Sequence, residues 1–436
     1  VQISKGTLKI ENYHAKGVPS AISFDAKGDL GVVLYHLNRP PLALLRNVNF
    51  DLTRLSGLVT AKTFLTMPLV KPTRADIGFK VTGAGSDIDI AGQLGAYRFD
   101  DIYGFVDLDA RGFNISGRSS VNGVPLNFSW DQGLATPSSS ASSAPPLETR
   151  LAISETLSGA ELDALGFAWA GTRVTGRVPV NVKLDGSVIN PRSYHFNADL
   201  TQAEIKFAPL SHTKAADQSA QFSGRLDVAA ETDTRVLAFS YEENGATPIV
   251  GQVDFVGQNL AGITMPVFNL GKMENLDFAL TDIGGHRQAS LRARKFIIED
   301  PVASLFGNAG TTDRLLADSI KMILGENYSI EAQIDTLHGS HNERLDGFQL
   351  IINAIDGRYE RVQVQGSFAD GSELIGDLTR TGPNLRSYTL QAENGSNLIR
   401  LLGFLPDLEG GALLLQGGFH DDGGRASGSP HDITGG

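Results

Sequence analysis

Apolar and polar residues alternate along most of the chain. Between Phe105 and Arg111, Val106, Leu108 and Ala110 fall on one side and Asp107, Asp109 and Arg111 on the other. A period of two is that of a strand with one buried face. Val124, Leu126, Phe128 and Trp130 repeat it, opposed by Pro125, Asn127, Ser129 and Asp131, and the Asn122-Gly123 pair before them predicts a two-residue hairpin turn. The pattern returns in Val178, Val180, Val182 and Leu184, in Tyr194, Phe196, Ala198 and Leu200, and in Phe348, Leu350, Ile352 and Ala354. It predicts a mainly β protein whose sheet has one greasy face and one wet face.

Helical spacing is rare and short. Ser158 is placed to cap a helix over Ala160–Phe167, Asn397 one carrying Leu398, Leu401, Leu402 and Leu405, and Thr312 a longer one in which Leu316, Ile320 and Ile323 face together. These are expected to plug or cap a sheet. Residues 134–148, rich in Ser, Ala and Pro, read as a flexible insertion. They separate an N-terminal β segment (1–133) from a middle β segment (149–300) and a C-terminal β segment with short helices (301–436), the three sharing one sheet or not.

Composition narrows the function more than the fold. Of 436 residues, 41% are apolar and 20% charged, as in a folded chain, and the 49 glycines suit many strands joined by tight turns. The 49 acidic residues outnumber the 37 basic ones, giving a net charge of −12 that repels phosphate backbones; with no basic run interleaved with aromatics, nucleic acid is not expected as a partner. Without a cysteine there is no disulfide framework, Cys-ligated zinc or thiol catalysis. No apolar run reaches 18 residues and no leader pattern follows Val1, so the chain is expected to be a piece of a longer protein.

Four short motifs raise the question of chemistry. His338 and His341, with Asp346 nearby, are the only close histidine pair, but Gly339 between them argues for a turn, and a metal site needs three or four converging ligands. Ser211–Lys214 matches Ser-x-x-Lys of penicillin-recognising enzymes without their partner motifs. The pairs Asp100-Asp101 and Asp421-Asp422 would suit a polysaccharide-cleaving enzyme, except that adjacent strand residues point to opposite faces. Gly85–Asp89 is a single copy of a calcium-repeat fragment. No catalytic residue, metal or cofactor is therefore expected, and the chain reads as a non-enzyme. From period and composition alone, an ordinary packed core is the favoured reading of the apolar faces.

Three segments carry a resemblance. They are Ile115-Ser116-Gly117 through Val121-Asn122-Gly123-Val124 to Trp130; Leu165-Gly166 followed by Gly176–Val180, Asp199–Ile205 and Pro209–Lys214; and Asn394-Gly395-Ser396 to Gly403 with Leu408–Leu415. Their succession resembles the AsmA-like envelope proteins, most closely the YhdP-type branch of Gram-negative bacteria. The resemblance implies a long, curled, repetitive sheet forming an elongated apolar groove in the periplasm, anchored to the inner membrane by a segment absent here. It implies that the protein binds phospholipid acyl chains and conducts phospholipid towards the outer membrane, supporting envelope integrity. The lipid-facing residues would then be Val106, Leu108, Val124, Leu126, Phe128, Trp130, Val178, Val180, Val182, Phe196, Leu350 and Ile352. The alternative is a structural or adhesive β-solenoid with a dry core.

Overall fold

The computed structural model describes residues 1–10, 18–37, 39, 54–68, 76–94, 97–133, 149–167, 172–186, 191–207, 212–229, 231–257, 259–298, 323–405 and 407–420. The protein is mainly β, with 73% strand and 8% helix among the described residues, as the alternation predicts. Two compact units divide the chain: residues 1–167, 177–199 and 223–230 form the first, and 168–176, 200–222 and 231–436 the second.

The first unit is an antiparallel meander of β1 (Gln2–Ile10), β2 (Pro19–Asp29), β3 (Leu55–Pro68), β4 (Gly78–Ile90), a short β5 (Gln93–Leu94), β6 (Tyr97–Asp109), β7 (Gly112–Val121), β8 (Val124–Gly133) and β9 (Thr149–Ser158). Strand β10 (Thr172–Gly186) follows, and its portion Arg177–Asp185 lies between β9 and β11 (Pro191–Asp199). Thr172–Gly176 belongs to the second unit, where it pairs with β12 (Ala203–Phe207). The expected insertion at 134–148 lies outside the described residues, but β8 and β9 on either side of it pair directly, Phe128 opposite Ile153.

The second unit continues with β13 (His212–Lys214), β14 (Ala220–Ala229, shared with the first unit), β15 (Thr234–Glu243), β16 (Ile249–Val256), β17 (Asn259–Leu270), β18 (Met273–Ile283) and β19 (His286–Ile297). Then come β20 (Tyr328–His338), β21 (Arg344–Ile355), β22 (Arg358–Phe368), β23 (Glu373–Arg380), β24 (Leu385–Ala392) and β25 (Leu413–His420). Pairing is antiparallel from β15 to β25 except between β19 and β20, which run parallel. A parallel pair needs a crossover, and the chain supplies residues 298–327 for it. Among the described pairings neither unit closes on itself, β1 meeting only β2 and β25 only β24.

The predicted hairpin turn is present: Asn122 and Gly123 both hold positive φ (50° and 82°), as a two-residue turn matching strand twist requires. Elsewhere a glycine is needed for closeness. A Cβ on Gly117 would lie 2.1 Å from the Tyr103 carbonyl oxygen, so β6 and β7 meet there only without a side chain.

Short helices punctuate the described sheets. α1 (Leu30–Leu37), which the periodicity does not predict, is capped by Asp29, whose carboxylate accepts the Val32 N–H at 3.2 Å. α2 (Gly159–Ala164) is capped by Ser158 as expected, with Glu161 completing a capping box. It ends earlier than the predicted Phe167, because Gly166 turns left-handed (φ 86°) and Phe167 N–H returns to the Leu162 carbonyl. α3 (Gly395–Leu401) corrects the expected cap. Asn394, still extended, is the N-cap, and Asn397 lies inside the first turns with its side chain turned to Asp370. Leu398 and Leu401 are buried as predicted, whereas Leu405 is 65% exposed, because the helix ends at Leu401 in the same Gly-terminated motif, through Gly403. Of the helix expected after Thr312, residues 301–322 lie outside the described set; Leu324 is buried beside Leu280 and Ala289.

Candidate functional site

Directly paired residues in a ladder point to the same face, so the registers define rows that cross the strands. In the first unit one row runs through Ala26, Ala61, Gly83, Val106, Ile115 and Trp130, and continues through Leu151, Leu184 and Tyr194, crossing nine strands without a charge. Beside it on one flank lie Val81, Leu108 and Phe113, and on the other Phe128, Ile153, Val182 and Phe196. The row one residue over, on the reverse face, is Asp25, Lys62, Thr82, Asp107, Asn114 and Asp131. It is tied by cross-strand contacts such as Asn114 Nδ2 to Asp131 Oδ1 at 2.7 Å.

The second unit repeats the arrangement. Leu237, Val253, Ile263, Leu280, Ala289 and Ile330 form a row that continues through Ile352, Val362, Leu378, Tyr388 and Gly417, crossing eleven strands. Leu350 stands on the same face, opposite Ala332 and Val364. On the reverse face Gln288, Ser329, Asn353, Arg361, Thr379 and Ser387 follow one another.

All twelve residues expected to face lipid thus stand on the apolar faces, ten in the first unit and two in the second, but their surroundings differ. Val124 and Leu126 are buried (3% and 6% exposed) with Val121, Leu157 and Leu165, against Leu162 of α2. Val178 is buried opposite Leu157, and Val180 packs on the same cluster. Glu155, opposite Val180, brings a carboxylate to this end and accepts the Asn127 Nδ2 at 2.7 Å. Val106, Leu108, Phe128, Trp130, Val182, Phe196, Leu350 and Ile352 are only half-buried. Trp130 stands edge-on to Phe113, ring centroids 4.9 Å apart. α2 covers one end of the face, therefore, and leaves the middle partly open.

The other motifs resolve into local structure. Lys214 is fully buried, its ammonium donating to the carbonyls of Leu200, Thr201 (3.1 Å) and Ala203 (2.7 Å), so it fastens a turn; Ser211 lies outside the described residues. Asp100 pairs with Arg98 at 2.9 Å, while Asp101 occupies a bulge with φ 51° and gives its N–H to Asp89. Asp421 and Asp422 lie outside the described set. His341 sits in a 3-10 turn at φ 52°, and His338 ends β20, its imidazole pulled below the ordinary value by burial and by Lys295 and Arg344. Asp87, of the calcium-like fragment, takes φ 51° at a bulge of β4. Among the described residues no three His, Asp or Glu converge as a metal site.

Sequence periodicity missed a polar cluster beside α3. Asp370 accepts hydrogen bonds from Ser372 N–H (3.0 Å) and Oγ (2.6 Å), Asn394 Nδ2 (2.9 Å) and Asn397 Nδ2 (2.8 Å), and these donors hold its carboxyl well below the usual range. Arg400 links Asn397 (2.7 Å) to Glu343 (2.7 Å). The cluster clamps α3 over the end of the second apolar face, where Leu398 and Leu401 pack on Leu345, Phe368 and Leu374. Its members come from three separate stretches of sequence, around residues 343, 370–372 and 394–400, and no local spacing announces them. No family model matches the chain, and neither does any curated protein or solved structure.

Proposed function

We propose that this chain is a periplasmic segment of an inner-membrane-anchored, AsmA-like envelope protein of a Gram-negative bacterium. In this reading it binds phospholipid through the acyl chains and conducts it towards the outer membrane. The observation that carries the reading is the uncharged row across nine strands in one unit and eleven in the other, backed by a polar reverse face. At about 4.8 Å per strand the shorter row is about 40 Å long, against about 30 Å for the hydrocarbon core of a bilayer. Each methylene exposed to water costs about 0.8 kcal/mol, so a lipid leaving a membrane needs continuous apolar area, and half-buried side chains in the middle of the face offer it. Native mass spectrometry of detergent-free protein from Gram-negative cells is expected to find bound phospholipid; persistent absence of lipid would overturn the reading.

The competing reading, a structural or adhesive β-solenoid with a dry core, is favoured by the clusters packed under α2 and α3. It predicts lipid-free protein in the same measurement.

A further inference from the structure

The apolar face of the second unit changes character at one end. Two residues beyond Leu378 and Tyr388 on the same face stand Arg380 and Arg386, paired with each other across β23 and β24. Glu360, two residues before Val362 on β22, joins them: its Oε1 lies 2.8 Å from Arg380 Nη1 and 3.9 Å from Arg386 Nη2. The Arg386 side chain is fully buried, its guanidinium bonded to the Tyr359 carbonyl and lying 3.3 Å from that of Leu385. Arg380 remains 42% exposed, with Nε 3.0 Å from the Gly382 carbonyl. Arg358, at the start of β22, reaches Asn384 Oδ1 at 2.9 Å.

Polar side chains on the reverse face are ordinary. Here an arginine row borders the apolar face, and two guanidinia share one carboxylate, leaving a positive excess in a chain of net charge −12. The excess is that of Arg380 and Arg386 over Glu360; Asp356, in the β21–β22 turn, and Glu326, whose carbonyl accepts the Gly357 N–H, stand at the same end of β22. Guanidinium is the group that recognises phosphate by paired, charge-assisted hydrogen bonds. The strand length also fits an amphiphile. From Arg386 to Ala392, where α3 closes the face, β24 runs about 20 Å at about 3.3 Å per residue, against about 15 Å for half a bilayer's hydrocarbon thickness.

We propose that the Arg380–Arg386 rim binds the phosphate of a glycerophospholipid whose acyl chains lie over Val362, Leu378 and Leu390. Arg380 makes the outer contact, and buried Arg386 keeps Glu360 from neutralising it. This assignment rests on the lipid-binding reading above and adds a headgroup requirement to it.

The test offers the full chain phosphatidylcholine vesicles doped with fluorescent phosphatidylglycerol or with diacylglycerol of the same chains, which lacks the phosphate. Phosphatidylglycerol is expected to be taken up in preference by about tenfold, the worth of one charge-assisted contact. Arg380→Gln is expected to bring the preference close to one while diacylglycerol uptake stays unchanged. Arg361→Gln, on the reverse face of the neighbouring strand β22, is expected to leave both unchanged. Equal uptake by the unaltered protein, or a preference that survives Arg380→Gln, would overturn the headgroup site alone. Displacement of phosphatidylglycerol by inorganic phosphate would make it a site for a free anion and would also overturn it. Uptake of neither lipid would overturn the lipid-binding reading with it.

Discussion

The two units use the same alternation to different degrees of closure. In the first, the buried cluster of Val121, Val124, Leu126, Leu157 and Leu165 lies beneath α2, Ile77, Val178 and Leu184 are buried besides, and the face across β6–β8 stays half-buried. In the second, burial runs from Ile249 and Phe268 through Leu276, Ile334 and Leu345 to Leu374, beneath α3, and a second cluster surrounds Leu280 and Leu324. An alternating strand does not decide whether its greasy side becomes a core or a surface. What decides is whether another element comes to lie on it, and here that element is a helix of two turns or fewer. The anchors differ too: α2 is held by its own capping box, α3 by the Asp370 cluster.

The largest effect should separate covered from open positions. Leu126→Asp and Leu345→Asp place a carboxylate where the native side chain is 6% and 0% exposed, and each is expected to cost more than about 4 kcal/mol and unfold its unit. Phe128→Asp, on the same face as Leu126 but beyond α2, is expected to leave a folded protein with reduced lipid occupancy. Chemical denaturation with parallel lipid analysis reads both; equal collapse of Leu126→Asp and Phe128→Asp would mean that the first unit is closed like the second.

A smaller effect sharpens the difference in anchoring. Ser158→Ala removes the side-chain half of the capping box, leaving the Glu161 carboxylate on the backbone N–H of residue 158, and is expected to cost about 1 kcal/mol, whereas Asn394→Ala removes an N-cap that makes no cap hydrogen bond and acts through Asp370 instead. Hydrogen exchange of the α2 amides should rise in Ser158→Ala while the α3 amides keep their protection. Loss of protection in both helices would show that the anchors are not independent.

The smallest effect is confined to acid. Because the donors around Asp370 depress its pKa in the folded state, its contribution to stability is fully present above the ordinary carboxylate value of about 4 and is lost as pH falls through and below it. Asp370→Asn should flatten this acid limb for the second unit, followed by thermal midpoints from pH 7 down to pH 2. An unchanged limb would assign the acid sensitivity elsewhere.

Local interactions made much of this legible in advance. Alternation identified the strands and assigned all twelve proposed residues to the apolar side, because a period of two leaves a side chain only two directions. Asn122-Gly123 and Ser158 announced a turn and a cap, because both are settled within four residues. Asn397 misled because the same side chain can cap a helix or bind a distant carboxylate, and Asp370, 27 residues away, competes for it. The extent of cover, too, needed the tertiary structure. Val124 and Phe128 are alike in sequence pattern, yet only Val124 lies under α2, and the arginine rim exists only because β22, β23 and β24 align Glu360, Arg380 and Arg386. By itself, the sequence determined which side of each strand is apolar, since that depends on neighbours along the chain. Which apolar side chains are covered, and which charges gather at their border, was decided by packing and register between residues far apart in sequence.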